Sequence, residues 1–294
     1  MTNTDFLLTI TAARRHQTLS AATVAAVRDA IGAAPAIDLS PGEAAGFLLP
    51  AAPDMALVRA AIGIAAVDAL LAPPGTRPCR LLIADMDSTI VTTETLDELA
   101  VFAGIGEQIA AITARTMNGE LDFCEALRLR VSMLRGLPLS AITQTLAATT
   151  LMGGARVLVQ TMHNLGAKTA LVSGGFTAFT GPISALCGFD QHLSNRLIDD
   201  GKNLTGEVGT PILDKQSKLT ALNEIAAEIG ITPAQALTVG DGANDLPMLQ
   251  AAGLGIAFHA KPVVAAAIAN NVQFGDLRAL LFAQGIPATQ FRAD

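Results

Sequence analysis

Hydrophobic positions along the chain follow two rhythms: short unbroken apolar runs, and longer stretches with one apolar face. The runs at 6–10, 36–39, 46–49, 81–84, 169–172, 236–239 and 254–258 have the length of strands and are bounded by turn-forming residues. Helix-length segments lie between them. The stretch 21–31 is closed by Gly32, 55–64 follows it, and 156–165 is amphipathic and stops at Gly166. After Ser217, a helix N-cap candidate, Leu219, Leu222, Ile225 and Ile229 share a helical rhythm that Gly230 ends. Asp199-Asp200-Gly201 reads as the turn of a hairpin joining 193–198 to 204–208. A helix at 246–252 and a last pair of helices complete the chain. Strands alternating with helices predict an α/β fold built on a doubly wound parallel sheet.

Two stretches depart from this alternation. Residues 1–75 read as a small α+β domain, set off by the linker composition of Ala72-Pro73-Pro74-Gly75-Thr76-Arg77-Pro78. It carries no catalytic constellation, and His16 beside Arg14 and Arg15 reads as a solvated loop. Residues 92–151 predict helices only. Thr92 and Thr93 are N-cap candidates ahead of Glu94, Asp97 and Glu98, whose charge suits a helix start. Phe123, Leu127, Arg130 and Leu134 share one face of a second helix that ends by Pro138, and 140–148 forms a third. The expected organisation is therefore a domain at 1–75, a catalytic core at 76–91 and 152–294, and a helical cap inserted at 92–151.

Composition narrows the functional classes. Of 294 residues, 51% are hydrophobic and 15% charged, enough apolar surface for a large core. A mean hydropathy of +0.45 raises the question of a membrane span. The uncharged windows 136–155 and 169–189 are interrupted by Pro, Gly, Ser and Thr, unlike the run of ~20 apolar residues a spanning helix needs, so no membrane is expected. Met1-Thr2-Asn3-Thr4-Asp5 lacks the basic region of a secretory signal, and Cys79, Cys124 and Cys187 fit neither a disulfide framework nor a zinc site. A cytoplasmic location is expected. A net charge of -7 without a Lys/Arg run argues against nucleic acid, while leaving room for a small anionic substrate in a locally positive site.

Three buried runs end in polar clusters: Asp85-Met86-Asp87, Ser173-Gly174-Gly175, and Gly240-Asp241-Gly242-Ala243-Asn244-Asp245. Asp-x-Asp alone fits a turn that caps the next helix as readily as a site. Ser-Gly-Gly can be a plain loop and Gly-Asp-Gly a turn. Their joint occurrence at strand ends points elsewhere, because open α/β sheets bind ligands beyond the carboxyl ends of their strands. Asp85 and Asp241 supply hard oxygen ligands for Mg2+, and Ser173 with its glycines suits a phosphoryl oxygen.

In order and context, Asp85-Met86-Asp87-Ser88-Thr89, Ser173, Lys218 and the 240–245 string resemble the four signatures of the haloacid-dehalogenase-like phosphatases. Glu94, Gly119-Glu120-Leu121-Asp122-Phe123, 128–131, 172–176 and 240–248 are similar to the phosphoserine-phosphatase branch. The resemblance covers about residues 78–275. It implies Asp85 as nucleophile, Asp87 as general acid and base, and Mg2+ on Asp85, Asp241 and the Asp87 carbonyl. It further implies that Lys218, Ser173, Gly174 and Asn244 hold the phosphoryl group, that Asp245 supports the metal site, and that Lys215 is solvated. The substrate it implies is O-phosphoserine, with Glu94 on the ammonium, Arg130 on the carboxylate, and Phe123 and Met117 lining the pocket. Locally, Glu94 also fits a favourable helix-start charge, and Phe123 and Met117 fit a helical core. An N-terminal ACT-like unit and a homodimer belong to the same expectation. The alternatives are a relative that hydrolyses or transfers the phosphate of another small ester, and a receiver-like signalling module phosphorylated on Asp85. Asp87, the cap and Lys218 oppose the last. His163, His192 and His259 are expected to be structural or exposed.

Overall fold

The computed structural model describes residues 5–13, 19–117 and 121–292. Arg14, Arg15, His16, Gly119 and Glu120 lie outside them. The first strands, β1 (Phe6–Ala12), β2 (Ile37–Ser40), β3 (Ala44–Leu49) and β4 (Val67–Ala72), form an antiparallel sheet in the order β2-β3-β1-β4. Helices α1 (Ala21–Ile31) and α2 (Met55–Ile62) connect them in βαββαβ succession, the split βαβ arrangement. Ser20 and Asp54 cap the two helices by accepting from Thr23 N and Ala56 N.

β5 (Leu81–Ala84) then enters a different sheet, and the chain leaves it for four helices: α3 (Thr95–Phe102), α4 (Gly106–Met117), α5 (Phe123–Ser132) and α6 (Leu139–Ala148). The way out and the way back run side by side. Thr92 N donates to Thr150 O and Met152 N to Ile90 O, so the helical insertion stands on a paired stem. Next come α7 (Ala155–Asn164), β6 (Lys168–Phe176), α8 (Thr177–Cys187) and β7 (Gln191–Asn195). The hairpin β8 (Leu197–Asp199) and β9 (Leu204–Val208) precedes α9 (Ser217–Glu228), β10 (Ala236–Gly240), α10 (Leu246–Ala251), β11 (Leu254–Phe258), α11 (Pro262–Ala267), β12 (Asn271–Val272) and α12 (Ala279–Phe282).

The second sheet has the order β12-β11-β10-β5-β6-β7, all parallel, and confirms the α/β class with a doubly wound sheet. Leu82 and Ala84 of β5 face one core with Leu171, Val239 and Phe179, while Leu81 and Ile83 face another with Ala170, Leu222 and Met248. Burial on both faces explains why these strands read as unbroken apolar runs. The chain goes from β5 to β6 on one side and later to β10 on the other, so the switch point lies at β5.

Three expectations are corrected. The run 193–198 is not one strand: β7 belongs to the parallel sheet and β8 to the hairpin, with Arg196 between them. Thr92 and Thr93 do not cap the first inserted helix, and Asp214 rather than Ser217 caps α9, its Oδ1 accepting from Gln216 N and Ser217 N. Strand β4 was not foreseen, because Asp68 interrupts its apolar pattern. That carboxylate is buried and accepts from the N–H groups of Gln273, Phe274 and Gly275 at 2.8, 3.2 and 2.8 Å. Burial raises its pKa, and the three N–H groups draw it back. Beside it, the Asn270 side chain donates to Leu71 O and accepts from Leu71 N, as a neighbouring strand would. Arg278 adds ion pairs to Glu43 and Asp276. These polar contacts fasten the first sheet to the segments on either side of β12.

Asp68→Ala leaves the three N–H groups of 273–275 without their acceptor and should cost about 3 kcal/mol of unfolding free energy. Urea denaturation followed by circular dichroism measures it; an unmoved midpoint would contradict this docking.

Candidate active site

The neighbouring strands β10, β5 and β6 bring the three polar clusters to one mouth. Asp85 N continues the ladder by donating to Val239 O at 3.0 Å, and the chain then coils around one carbonyl. Thr89, Ile90 and Val91 all donate N–H to Met86 O. Ser88 sits at φ +55°, the left-handed region, inside this coil. The coil lets both aspartates face the mouth. Met86 N donates to Asp85 Oδ1 at 2.8 Å, and Thr95 N donates to Asp87 Oδ1 at 2.9 Å. Asp87 thus satisfies the start of α3, the task assigned to the two threonines.

On β6, Ser173 is buried and its Oγ accepts from Gly175 N at 2.9 Å. A Cβ on Gly175 would lie 3.0 Å from Asp87 Oδ2 and 3.1 Å from Ser173 Oγ, so glycine permits the strand's close approach to both. Gly174 O accepts from Asn195 Nδ2, and a Cβ on Gly174 would meet Phe123 Cζ at 3.5 Å. Phe123 therefore reaches down from the cap onto the Ser-Gly-Gly turn.

Lys218 on α9 joins the remaining carboxylates. Its Nζ lies 2.6 Å from Asp85 Oδ1 and 2.5 Å from Asp245 Oδ1, with all three residues buried. Asp245 Oδ2 accepts from Gly242 N at 2.9 Å, so both of its oxygens are committed. A side chain at Gly240 would overlap Asp245, which accounts for the glycine that ends β10. Asn244, half-buried, stands beside this turn, and Lys215 is exposed as expected.

One buried cation serves several buried acids. Burial, then repulsion from Asp245, pushes Asp85 well above the ordinary carboxylate range although Lys218 opposes it. Burial likewise lifts Asp87 to about 6 and raises Asp241. Burial alone would lower Lys218, but Asp245 and Asp85 outweigh it and hold its ammonium above the usual lysine range. Oxygens of Asp85, Asp241 and Asp245 lie within 4.8 Å of one another. Because Asp245 is committed to Lys218 and Gly242, the oxygens left for a divalent cation are those of Asp85 and Asp241. Asp241 is otherwise met only by Thr89 Oγ1 at 3.5 Å and Lys261 Nζ at 3.5 Å among the described residues. This oxygen-only, charge-deficient set fits a hard cation such as Mg2+.

From the cap, Glu94 Oε1 accepts from Ser88 Oγ at 2.8 Å and lies 4.0 Å from Lys261 Nζ. Arg130 donates Nε–H to Ala126 O at 3.4 Å and feels the charges of Asp97 and Glu94. Met117 closes α4, but its side chain lies outside the described residues. Sequence reasoning missed Lys261. The signal was there: a lysine just ahead of Pro262 at a helix start, where the dipole disfavours a cation unless anions face it. His163 is exposed, whereas His259 donates from Nε2 to Gly275 O and His192 bonds Thr180.

The family model of haloacid dehalogenase-like hydrolases matches residues 82–250. The chain belongs to this family. It is 46% identical over 202 residues to a phosphoserine phosphatase of Haemophilus influenzae, covering 68% of this chain and 64% of that protein. A solved HAD family hydrolase from Salmonella enterica serovar Typhi superposes with a TM-score of 0.84 at 28% identity, over 95% of this chain and 98% of that one. A phosphoserine phosphatase solved as a phospho-aspartyl intermediate analogue gives 0.64 at 40% identity, over 69% and 98%. The chain spans 64%, 66% and 53% of the lengths of the phosphoserine phosphatases of Haemophilus influenzae, Archaeoglobus fulgidus and Streptomyces coelicolor. No helix among the described residues is long and apolar enough to cross a membrane.

Lys218→Met strands two buried carboxylates and should cost about 3 kcal/mol of stability. Asp245→Asn in that background should recover part of the loss, a coupling that a double-mutant cycle in urea reads out. Additive losses would contradict the clamp.

Proposed function

We propose that the chain is a Mg2+-dependent phosphatase that hydrolyses O-phosphoserine to serine and phosphate through an aspartyl-phosphate on Asp85. The observation that carries this reading is the pairing of Asp85 and Asp87 at one mouth. One oxygen of each is anchored, on Lys218 and Met86 N or on Thr95 N. The named relatives support the same reading, and so does the phospho-aspartyl analogue among the solved structures.

Asp85 Oδ2 attacks phosphorus as the bond from phosphorus to the seryl oxygen breaks. Asp87, whose pKa of about 6 keeps a proton within reach near neutrality, gives that proton to the departing oxygen. It then takes a proton from the water that attacks phosphorus and restores Asp85. Ser173 Oγ, Gly174 and Asn244 hold the phosphoryl oxygens, and Lys218 offsets their charge while Asp245 keeps it in place. Bound by Asp85, Asp241 and the Asp87 carbonyl, Mg2+ supplies the positive charge that lets a carboxylate meet a phosphate. Glu94 takes the substrate ammonium, Arg130 its carboxylate, and Phe123 with Met117 closes the pocket.

The same reading divides the chain at 1–75, 76–91 with 152–294, and 92–151. The βαββαβ succession of the first part supports an ACT-like unit. It also takes the enzyme as cytoplasmic and homodimeric; the free thiols of Cys79 and Cys187, buried and pushed up to about 12 and about 11, are in keeping with a reducing compartment.

Asp85→Asn should lower phosphate release from O-phosphoserine by at least about 10^4-fold with an unchanged circular dichroism spectrum. Glu94→Gln and Arg130→Met should act mainly through KM. Full turnover in the Asp85 variant would refute covalent catalysis, and equal rates on esters lacking the amino-acid group would refute the substrate assignment.

A further inference from the structure

Lys261 is half-exposed just ahead of α11, yet its backbone and its side chain both meet the site. Its backbone N–H donates to Asp241 O at 3.0 Å, which fixes its Cα beside the metal-site carboxylate. Its Nζ lies 3.5 Å from Asp241 Oδ2 and 4.0 Å from Glu94 Oε1. Asp241 belongs to the core and Glu94 opens the cap, so one ammonium joins the two parts across the mouth. A lone lysine at a helix start is disfavoured by the dipole, and two facing carboxylates reverse that balance.

The geometry at Glu94 is asymmetric. Ser88 Oγ and Lys261 Nζ both address Oε1, and among the described residues neither engages Oε2. Around Glu94 lie the negative charges of Asp97 and Asp241, which would push an untethered carboxylate toward solvent.

We propose that Lys261 is a positioning residue that ties Glu94 to Asp241, competes with Mg2+ for Asp241, and holds Glu94 so that Oε2 faces the substrate. Only the substrate part rests on the function proposed above. Filling the metal site repels the ammonium from Asp241 toward Glu94, so metal binding and the orientation of the specificity carboxylate become linked.

Calorimetric Mg2+ titration without substrate tests the tie. Lys261→Met should bind Mg2+ about fivefold more tightly, because a competing cation is gone. Glu94→Gln should weaken binding by handing the lysine wholly to Asp241, and should do so much less once Lys261 is methionine. Lys261→Arg, which keeps the charge, should stay near the unaltered protein. At saturating Mg2+, Lys261→Met should raise KM for O-phosphoserine about tenfold, with the change falling on KM rather than kcat. It should leave KM for 3-phosphooxypropionate, the same ester without its amino group, close to the unaltered value. Unchanged Mg2+ affinity, or additive effects of the two substitutions, would overturn the tie. A KM that falls, or rises equally on both esters, would overturn the role at Glu94. If the unaltered enzyme does not prefer O-phosphoserine to 3-phosphooxypropionate, the substrate reading fails, while the Mg2+ cycle still decides the tie.

Discussion

The buried ammonium of Lys218, held between Asp85 and Asp245, is the interaction on which the rest of the site depends. Ionised groups leave water only when their charge is met, and here a single lysine meets two carboxylates at hydrogen-bond distance. Its partners follow different strands, so the clamp fixes the end of β5 against the turn after β10. The backbone is shaped to the same end. Gly240 leaves room for Asp245, Gly242 donates to it, and Gly175 leaves room for Asp87.

Charge balance stops short of neutrality, and that shortfall carries the function. Among the described residues the Asp241 carboxylate is met only at 3.5 Å, and Lys218 and Met86 N both take the same oxygen of Asp85. A folded core that minimised its own energy would fill these places with apolar side chains. Leaving them anionic and buried raises their pKa values and makes the mouth receptive to a divalent cation and to protons. The apolar sheet beneath supplies the stability that offsets this, with both faces of β5 fully buried.

Much of this was legible in the chain. Unbroken apolar runs located the parallel strands, and polar strand ends located the mouth, because burial and ligand binding each leave a composition of their own. What sequence reasoning missed shares a physical cause: long-range satisfaction of polar groups. Asp68 looked like a break in a strand because its three N–H partners lie two hundred residues away. Thr92 and Thr93 looked like caps because the acceptor that serves α3, Asp87, sits on the far side of a coil. Asp214 displaced Ser217 for a smaller reason: either side chain can serve a helix start, and local propensity does not choose between them. The break between β7 and β8 leaves the burial pattern intact, with Asn195 and Leu197 buried on either side of exposed Arg196 while the strand changes partners.

Lys261 belongs to this last class and sharpens it. The local mark of Lys261 is a cation at a helix start, and its reason appears only when the fold brings Asp241 and Glu94 to it. The clamp at Lys218 is buried and short, fixing Asp85 against Asp245. The tie at Lys261 is solvent-facing and longer, so it can yield when charge at Asp241 changes. Two lysines thus divide the electrostatic work by depth: the inner one joins Asp85 to Asp245, and the outer one links Asp241 to Glu94 of the cap.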